Sequence, residues 1–277
     1  MTVQLRGFSP DLRYAPEFTT PALSTWRRLF YSPLKFLAAD YPVVKGFDVN
    51  HWHYCSDYPA AKAAGYEWVG IKATEGLTVK DAKFTDQWQK AIDAGLFVLP
   101  YHFFRCNLSG ADQAEFFMET IFPFVDATGG VLLPPGVDVE TTDGQTLTVR
   151  QNKINACLDT LKVEHEPCVY SSPALWSSVA GNMPMTHYGW VAHWTAADLP
   201  TLPTGWDVTK RLFWQYGVHP TYAWAEHVPG VNEPIDVDRY FGTLEDLQTL
   251  AGVEELSLET LDDRLTVVED WIVAHQP

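Results

Sequence analysis

Short apolar runs recur along the middle of the chain and alternate with segments of helical period. The runs are rich in β-branched and aromatic residues and predict eight strands. They are 42–49, 67–73, 96–104, 135–140, 167–172, 188–194, 211–217 and 234–241. Helical patterns lie between the early strands, at 57–65, 83–95, 111–122, 147–164 and 173–180. Strands that alternate with helices predict a parallel sheet.

Eight strands favour closure of this sheet into a barrel. Two of the helical segments end in glycine, Gly65 and Gly95, a residue that readily takes the left-handed conformation just past a helix. The linkers after the sixth and seventh strands are rich in Pro and Gly and have no helical period. We therefore predict an α/β fold, an irregular TIM-like β/α barrel of eight strands whose helices are missing after the last strands.

Both ends of the chain differ from the middle. Residues 1–42 hold five Arg or Lys and three Asp or Glu, and they predict an N-terminal arm. Residues 243–277 hold one Arg and nine acids. Within them, apolar residues recur at heptad spacing over barely two heptads, which fits either a short coiled coil or one amphipathic helix. The predicted division is an arm over 1–42, a barrel over 43–250 and an acidic amphipathic helix over 251–277.

The composition excludes several classes of partner. A formal charge of −16 argues against non-specific binding of nucleic acid and against an anionic membrane surface. No stretch approaches eighteen apolar residues, and no secretion signal is evident, so we expect synthesis in the cytoplasm. The four cysteines form no CxxC pair, which favours free thiols. "HWH" at 51–53 is the tightest His pair, and no motif completes a metal site around it.

Two carboxylates stand at the end of the fourth predicted strand. Asp138 and Glu140 are two residues apart, so a strand points both to one face with Cα atoms roughly 6.6 Å apart. At the carboxyl end of a barrel strand, that face opens onto the site where this architecture holds its chemistry. An isolated D-x-E is common and is usually not catalytic. However, Asp48, Glu75 and Asp236 occupy matching places on other strands. Glycoside hydrolysis needs such a group, with one protonated carboxyl beside an ionised one.

Aromatic residues occupy the same predicted rim. Sugar rings present apolar C–H faces that stack on such side chains, although each one alone is more often a core residue than a platform. They are Tyr101, Phe103, Tyr170, Trp190, Trp194 and Trp214.

Seven motifs in order resemble glycoside hydrolase family 25, the Chalaropsis-type lysozymes or N-acetylmuramidases. They are "KGFDVNHW", "VGIKATEG", "AGLFVLPYHFFR", "GVDVET", "WVAHW", "FWQYG" and "IDVDRYFG", and they cover roughly residues 43–250. The resemblance implies a muramidase without metal or organic cofactor, acting on the peptidoglycan glycan strand. It implies that the barrel is catalytic, with Glu140 as general acid/base and Asp138 assisting the reacting sugar.

The resemblance also implies roles for further residues. Asp48 and Asp236 match the other carboxylates of the active centre. The resemblance implies substrate contacts from Glu75, Tyr101, Trp190 and Gln215. Phe103 and Tyr170, among the aromatic residues of the predicted rim, are expected to bind substrate beside them. Two positions depart from the family pattern, because Asp238 stands where Asn is usual and Asn50 where Ser is usual. The added charge of Asp238 is expected to raise neighbouring carboxyl pKa values.

Other interpretations remain open. The barrel fits a catalytically weak or inactive glycan-binding part of a phage particle, and a glycosidase acting on chitin-like polymers fits the same residues. The missing signal and free thiols fit a phage endolysin or virion-associated lysozyme, released by lysis or carried on a virion. The arm or the acidic helix would then hold a second copy of the chain or phage structural proteins.

Overall fold

A computed structural model describes residues 42–128 and 130–253 of the chain. The predicted arm lies outside the described residues except for Pro42, and the predicted acidic helix except for residues 251–253. All strands and helices of the described part lie between Val43 and Leu250.

The eight predicted strands form in the described residues, together with one short additional strand. In chain order they are β1 (Val43–Val49), β2 (Tyr66–Glu75), β3 (Val79–Lys80), β4 (Phe97–Phe103), β5 (Gly136–Asp138), β6 (Cys168–Ser171), β7 (Tyr188–Ala192), β8 (Arg211–His219) and β9 (Ile235–Phe241). Neighbours follow the order β1-β9-β8-β7-β6-β5-β4-β2, and β2 pairs with β1. The sheet therefore closes into an eight-stranded barrel, which confirms the predicted fold class, with β3 paired to the end of β2.

One strand runs against the prediction of a parallel sheet. Strand β9 is antiparallel to both of its neighbours, β8 and β1, whereas the other barrel pairs are parallel. A parallel return needs a crossover, usually a helix, to carry the chain back along the barrel. The linker 220–234 contains no helix, so the chain turns back directly and enters β9 from the rim where β8 ends.

The helices of the described part follow the predicted pattern in the first two-thirds of the barrel. They are α1 (Tyr58–Ala63), α2 (Phe84–Asp93), α3 (Gly110–Ala127), α4 (Leu147–Leu161), α5 (Pro173–Leu175), which continues as a π-helical turn over Trp176–Ala180, and α6 (Leu244–Leu250). One 3₁₀ turn, Val208–Lys210, lies in the linker before β8, where no helical period was predicted. Gly65 and Gly95 have φ values of 87° and 76°, as expected just past α1 and α2. Helix α6 was not predicted, and a capping box between Thr243 and Asp246 begins it.

Aromatic side chains fill the barrel beneath its rim. Trp68, Phe213 and Tyr240 are fully buried. The ring centre of Phe213 lies 4.8 Å from that of Trp68 and 5.4 Å from that of Tyr240. Tyr240 shares a strand face with Asp238 and Asp236, because the three alternate along β9. The barrel is therefore a packed core, and the acids of β9 lie towards one end of it.

Two further observations concern the described residues as a whole. All four cysteines are buried free thiols, as predicted. None of the described helices combines the length and the apolar character that a membrane crossing would require.

Candidate active site

A cleft of about 210 Å³ opens at the carboxyl ends of the parallel strands. Its lining residues are Asp48, Asn50, Lys72, Tyr101, Phe103, Asp138, Glu140, Tyr170, Trp190, Gln215 and Asp236. Nine of the ten site residues named from the sequence thus share one cleft, and Glu75 is the exception.

Strands β1 and β9 bring two of the acids together. Asp48 pairs directly with Asp236 across the antiparallel ladder, near the end of β1 and the beginning of β9. Because β9 runs in the opposite direction, its first residues lie at the same rim as the last residues of β1. Like charges placed directly opposite each other destabilise a sheet, so this pair is costly when both carboxyls are ionised.

The pair Asp138 and Glu140 lies on the β5 segment, which is shorter than predicted. The strand ends at Asp138, and Glu140 lies two residues beyond it. Val139 keeps the segment extended, because its N–H donates to the Tyr170 carbonyl at 3.0 Å and its carbonyl accepts from Ser171 Oγ at 2.8 Å. Val139 is fully buried, and both acids line the cleft, as the strand period predicts.

The acids of the cleft hold their protons more tightly than free carboxyls. Burial, and then the charge of Asp48, raise the pKa of Glu140. Burial and the charge of Glu140 raise the pKa of Asp138 well above its usual range. Burial and the charges of Asp48 and Glu140 raise the pKa of Asp236 well above its usual range too. The pKa of Asp48 is also raised, mainly by burial. Such a group titrates as a coupled set and carries fewer charges than it has carboxyls.

Lys72 supplies a positive charge to the cleft. Its charge lowers the pKa of both Glu140 and Asp138, opposing the effect of burial. Its ammonium donates to Glu75 Oε2 at 2.7 Å and lies 4.8 Å from the centre of the Phe103 ring. The sequence reasoning missed this residue, although a lysine between the apolar residues Ile71 and Ala73 was a usable signal.

Glu75 lies beside the cleft, in an adjoining depression. Arg105 donates to its Oε1 from Nε at 3.0 Å and from Nη2 at 2.5 Å, while Lys72 binds the other oxygen. Burial alone would raise the pKa of Glu75, but the hydrogen bonds and charges of these two cations lower it. In this structure its carboxylate is occupied by the two cations, and it orients Lys72.

Gln215 connects the aromatic rim to Asp48. Its Oε1 accepts from the Tyr170 hydroxyl at 2.9 Å and from Trp194 Nε1 at 2.8 Å. These two donors fix the amide so that Nε2 donates to Asp48 Oδ2 at 2.8 Å. The ionised form of Asp48 is therefore stabilised by a buried, oriented donor.

Asp238, where the family pattern has Asn, lies fully buried below the cleft. Its Oδ1 accepts from Trp190 Nε1 at 2.7 Å. Burial and the charge of Asp48 raise the pKa of Asp238 well above its usual range, and a hydrogen bond between the two carboxyls adds to this effect. Two carboxyls can hydrogen-bond only if one keeps its proton, so Asp238 is the donor and Asp48 the acceptor. Neutral Asp238 thus makes the two contacts that an Asn could make.

Four of the six aromatic residues predicted at the rim line the cleft, namely Tyr101, Phe103, Tyr170 and Trp190. Trp214 does not, because it is buried against Phe241 and Tyr216. Trp190 is buried, and its ring contacts Tyr170 at 4.9 Å and Tyr101 at 5.9 Å in edge-to-face arrangements. Gly70 makes room for this packing, because a Cβ there would lie 2.7 Å from Trp190 and 2.9 Å from Asp48. Trp194 is about half exposed at the rim. Most of these rings are therefore core residues with one edge on the cleft.

Comparisons with known proteins agree with this architecture. A family model described as glycosyl hydrolases family 25 matches residues 47–223. Lysozyme M1 of Streptomyces globisporus is 30% identical over 226 residues, which are 77% of this chain and 73% of that protein. The N,O-diacetylmuramidase of Arthroderma benhamiae is 30% identical over 187 residues, 62% of this chain and 76% of that protein. The crystal structure of a bacterial lysozyme from Streptomyces coelicolor superimposes with a TM-score of 0.65 at 28% identity, covering 76% of this chain and 98% of that one.

Proposed function

The chain belongs to the glycosyl hydrolases of family 25, and on this premise we propose that it is a lysozyme. It hydrolyses the β-1,4 bond between N-acetylmuramic acid and N-acetylglucosamine in bacterial peptidoglycan. The observation that carries the proposal is the convergence of Glu140 and Asp138 in one cleft with raised pKa values. Raised pKa values within one group of acids support a protonated carboxyl beside an ionised one, as glycoside hydrolysis requires.

Glu140 is the general acid and base of the proposed reaction. Its raised pKa keeps the carboxyl protonated to higher pH than a free glutamate, so that it can donate to the leaving glycosidic oxygen. The ionised carboxylate then takes a proton from water in the second step, and the proton count is restored.

Asp138 assists the reacting sugar. On the substrate-assisted route implied by the family, the acetamido oxygen of the sugar attacks its own anomeric carbon, and configuration is retained. Asp138 lines the cleft two residues from Glu140. Its carboxylate is proposed to accept from the acetamido N–H of the bound sugar, which orients the group and stabilises its developing positive charge.

Asp48 and Asp236 complete the active centre. The charge of Asp48 raises the pKa of both Glu140 and Asp138, and Asp48 is itself held by Gln215. Asp236 belongs to the same group, because the charges of Asp48 and Glu140 raise its pKa in turn. Tyr101, Phe103, Tyr170, Trp190 and Gln215 are proposed to contact the sugar, because they line the cleft around these acids. Glu75 contributes indirectly, through Lys72.

Mass spectrometry of digested peptidoglycan tests the proposed specificity. A muramidase creates new reducing ends on N-acetylmuramic acid, whereas cleavage of the other glycosidic bond creates them on N-acetylglucosamine. Chitin oligosaccharides serve as the control substrate and should be cleaved slowly or not at all. Release of N-acetylglucosamine reducing ends, or preferential cleavage of chitin, would contradict the proposal.

The cell wall is the proposed place of action. We propose further that the chain reaches it by cell lysis or on a virion, and that a second copy or phage structural proteins bind through 1–42 or 251–277. These segments lie largely outside the described residues. Light scattering of the full chain and of a chain lacking 253–277 tests self-association, and equal monomer masses would contradict it.

A further inference from the structure

A second cluster of polar side chains lies on the linker between β8 and β9, outside the catalytic cleft. His219 is the last residue of β8, His227 lies in the linker, and Glu233 stands two residues before β9. No residue of this cluster lines the cleft. The spacing of eight and six residues matches no familiar ligand motif, so no sequence pattern connects the three residues.

The three side chains converge on one point. Glu233 Oε1 lies 3.2 Å from His219 Nε2 and 3.1 Å from His227 Nδ1. One ligand atom from each residue lies within 4.8 Å of the others. Four tetrahedral ligands at about 2.0–2.1 Å from Zn²⁺ are separated from one another by about 3.3 Å. Two of the three separations therefore already match those of a zinc site.

The contacts of His219 place a ring nitrogen against the carboxylate of Glu233. Its Nδ1 lies 3.0 Å from the carbonyl oxygen of Ala225, which can only accept, so Nδ1 carries the proton. In the neutral ring, Nε2 then presents a lone pair to the carboxylate of Glu233 at 3.2 Å. Two acceptors facing each other at this distance repel. A metal ion between them, or a second proton on His219, removes the repulsion.

We propose that His219, His227 and Glu233 bind a divalent transition-metal ion of the zinc class, independently of the proposed hydrolase function. Two imidazole nitrogens and one carboxylate oxygen form an established donor set for Zn²⁺. The hydrogen bond from His219 Nδ1 to a backbone carbonyl is the outer contact that orients a ligating imidazole. His227 and Glu233 are exposed by 60% and 38%, which leaves the remaining coordination position open to water.

The ion would connect the two ends of the linker, at His219 and Glu233, with its middle, at His227. The same linker carries Tyr222 and Trp224, whose rings stack at 4.8 Å, and Tyr222 lies 5.8 Å from Trp194. Trp194 in turn donates to Gln215. Metal binding is therefore expected to order this linker and the aromatic side of the rim, without taking part in the reaction.

Calorimetric titration of the metal-free full chain with Zn²⁺ tests the site. We expect one equivalent to bind to the parent, and binding at least about a hundredfold weaker in His227→Ala and in Glu233→Gln, because loss of even an outer-shell partner costs 10–100-fold. His165→Ala, which changes a histidine outside the cluster, is the matched control and should bind like the parent. Zn²⁺ should also raise the Tm of the parent and the control, but not of the two cluster variants.

Two results would overturn the proposal. The first is no saturable binding to the parent, which would leave the cluster as a protonated His219 paired with Glu233. The second is equal affinity in the parent, His227→Ala and Glu233→Gln, which would place the bound ion elsewhere. His227 is largely exposed, so its removal should not prevent folding, and the Tm without metal checks this.

Discussion

Replacing Glu140 by Gln removes the proposed general acid with little change of shape. The amide occupies the same space but has no acidic proton for the leaving oxygen. General acid catalysis contributes about 10²–10⁴-fold to the rates of such reactions. At about 1.4 kcal/mol per factor of ten, this loss corresponds to about 3–5 kcal/mol of transition-state stabilisation.

The stability of this variant is expected to be unchanged or higher, although its rate is lower. Burial and Asp48 raise the pKa of Glu140 in the folded chain, so the folded state binds the proton more tightly than the unfolded state. The stability that Glu140 contributes is fully present below its unfolded pKa and is lost as the pH rises through the raised folded pKa. Gln does not ionise, so at neutral pH the variant should unfold at the Tm of the parent or above it.

Two measurements on the same samples separate catalysis from folding. Clearing of a peptidoglycan suspension, with release of reducing ends, gives the rate, and circular dichroism during heating gives the Tm. Glu119→Gln replaces an exposed carboxyl on α3 and is the matched control, with parental rate and Tm expected. The reasoning is refuted if Glu140→Gln clears the wall at the parent rate, or if its low rate accompanies a lowered Tm.

Three further positions test the surroundings of the acid. Lys72→Met removes a charge that lowers the pKa of Glu140, so the alkaline limb of the pH–rate profile should move to higher pH; an unmoved limb would contradict this influence. Asp238→Asn keeps an acceptor for Trp190, and we expect near-parental activity at neutral pH. Because burial raises the pKa of Asp238, the parent should lose stability as pH rises through that raised value, and Asp238→Asn should lose less in alkaline thermal unfolding. Asp238→Ala leaves the buried indole N–H unpaired and should cost about 1–3 kcal/mol in urea unfolding. Gly70→Ala places a Cβ 2.7 Å from Trp190, and this overpacking should cost about 1–3 kcal/mol of unfolding free energy and reduce the rate. Unchanged urea midpoints for Asp238→Ala and Gly70→Ala would contradict the packing described.

The placement of Asp138 and Glu140 on one face followed from the sequence because it depends on a local period. Asp138 and Glu140 share a face whenever the segment between them is extended, and the buried Val139 between them is the expected consequence. The eight strands and most helices could be predicted for the same reason, since alternation and helical period record which face of each element is buried.

Other features depend on contacts between residues far apart in the chain. The direction of β9 depends on how the linker 220–234 crosses the rim, which no periodicity records. Glu75 could be placed near the cleft from its strand, but its ion pair with Arg105 could not be foreseen. The cluster of His219, His227 and Glu233 likewise exists only because the linker folds back on β8.

The sequence by itself determined which residues carry acidic groups, which faces they occupy and, through the order of its motifs, the family. Only the tertiary structure decided their protonation, because a pKa depends on burial and on charges a few ångströms away through space. Asp238 illustrates the difference. An aspartate in the sequence predicts one more negative charge. Its burial between Trp190 and Asp48 instead favours a neutral carboxyl, which forms the hydrogen bonds that an amide would form.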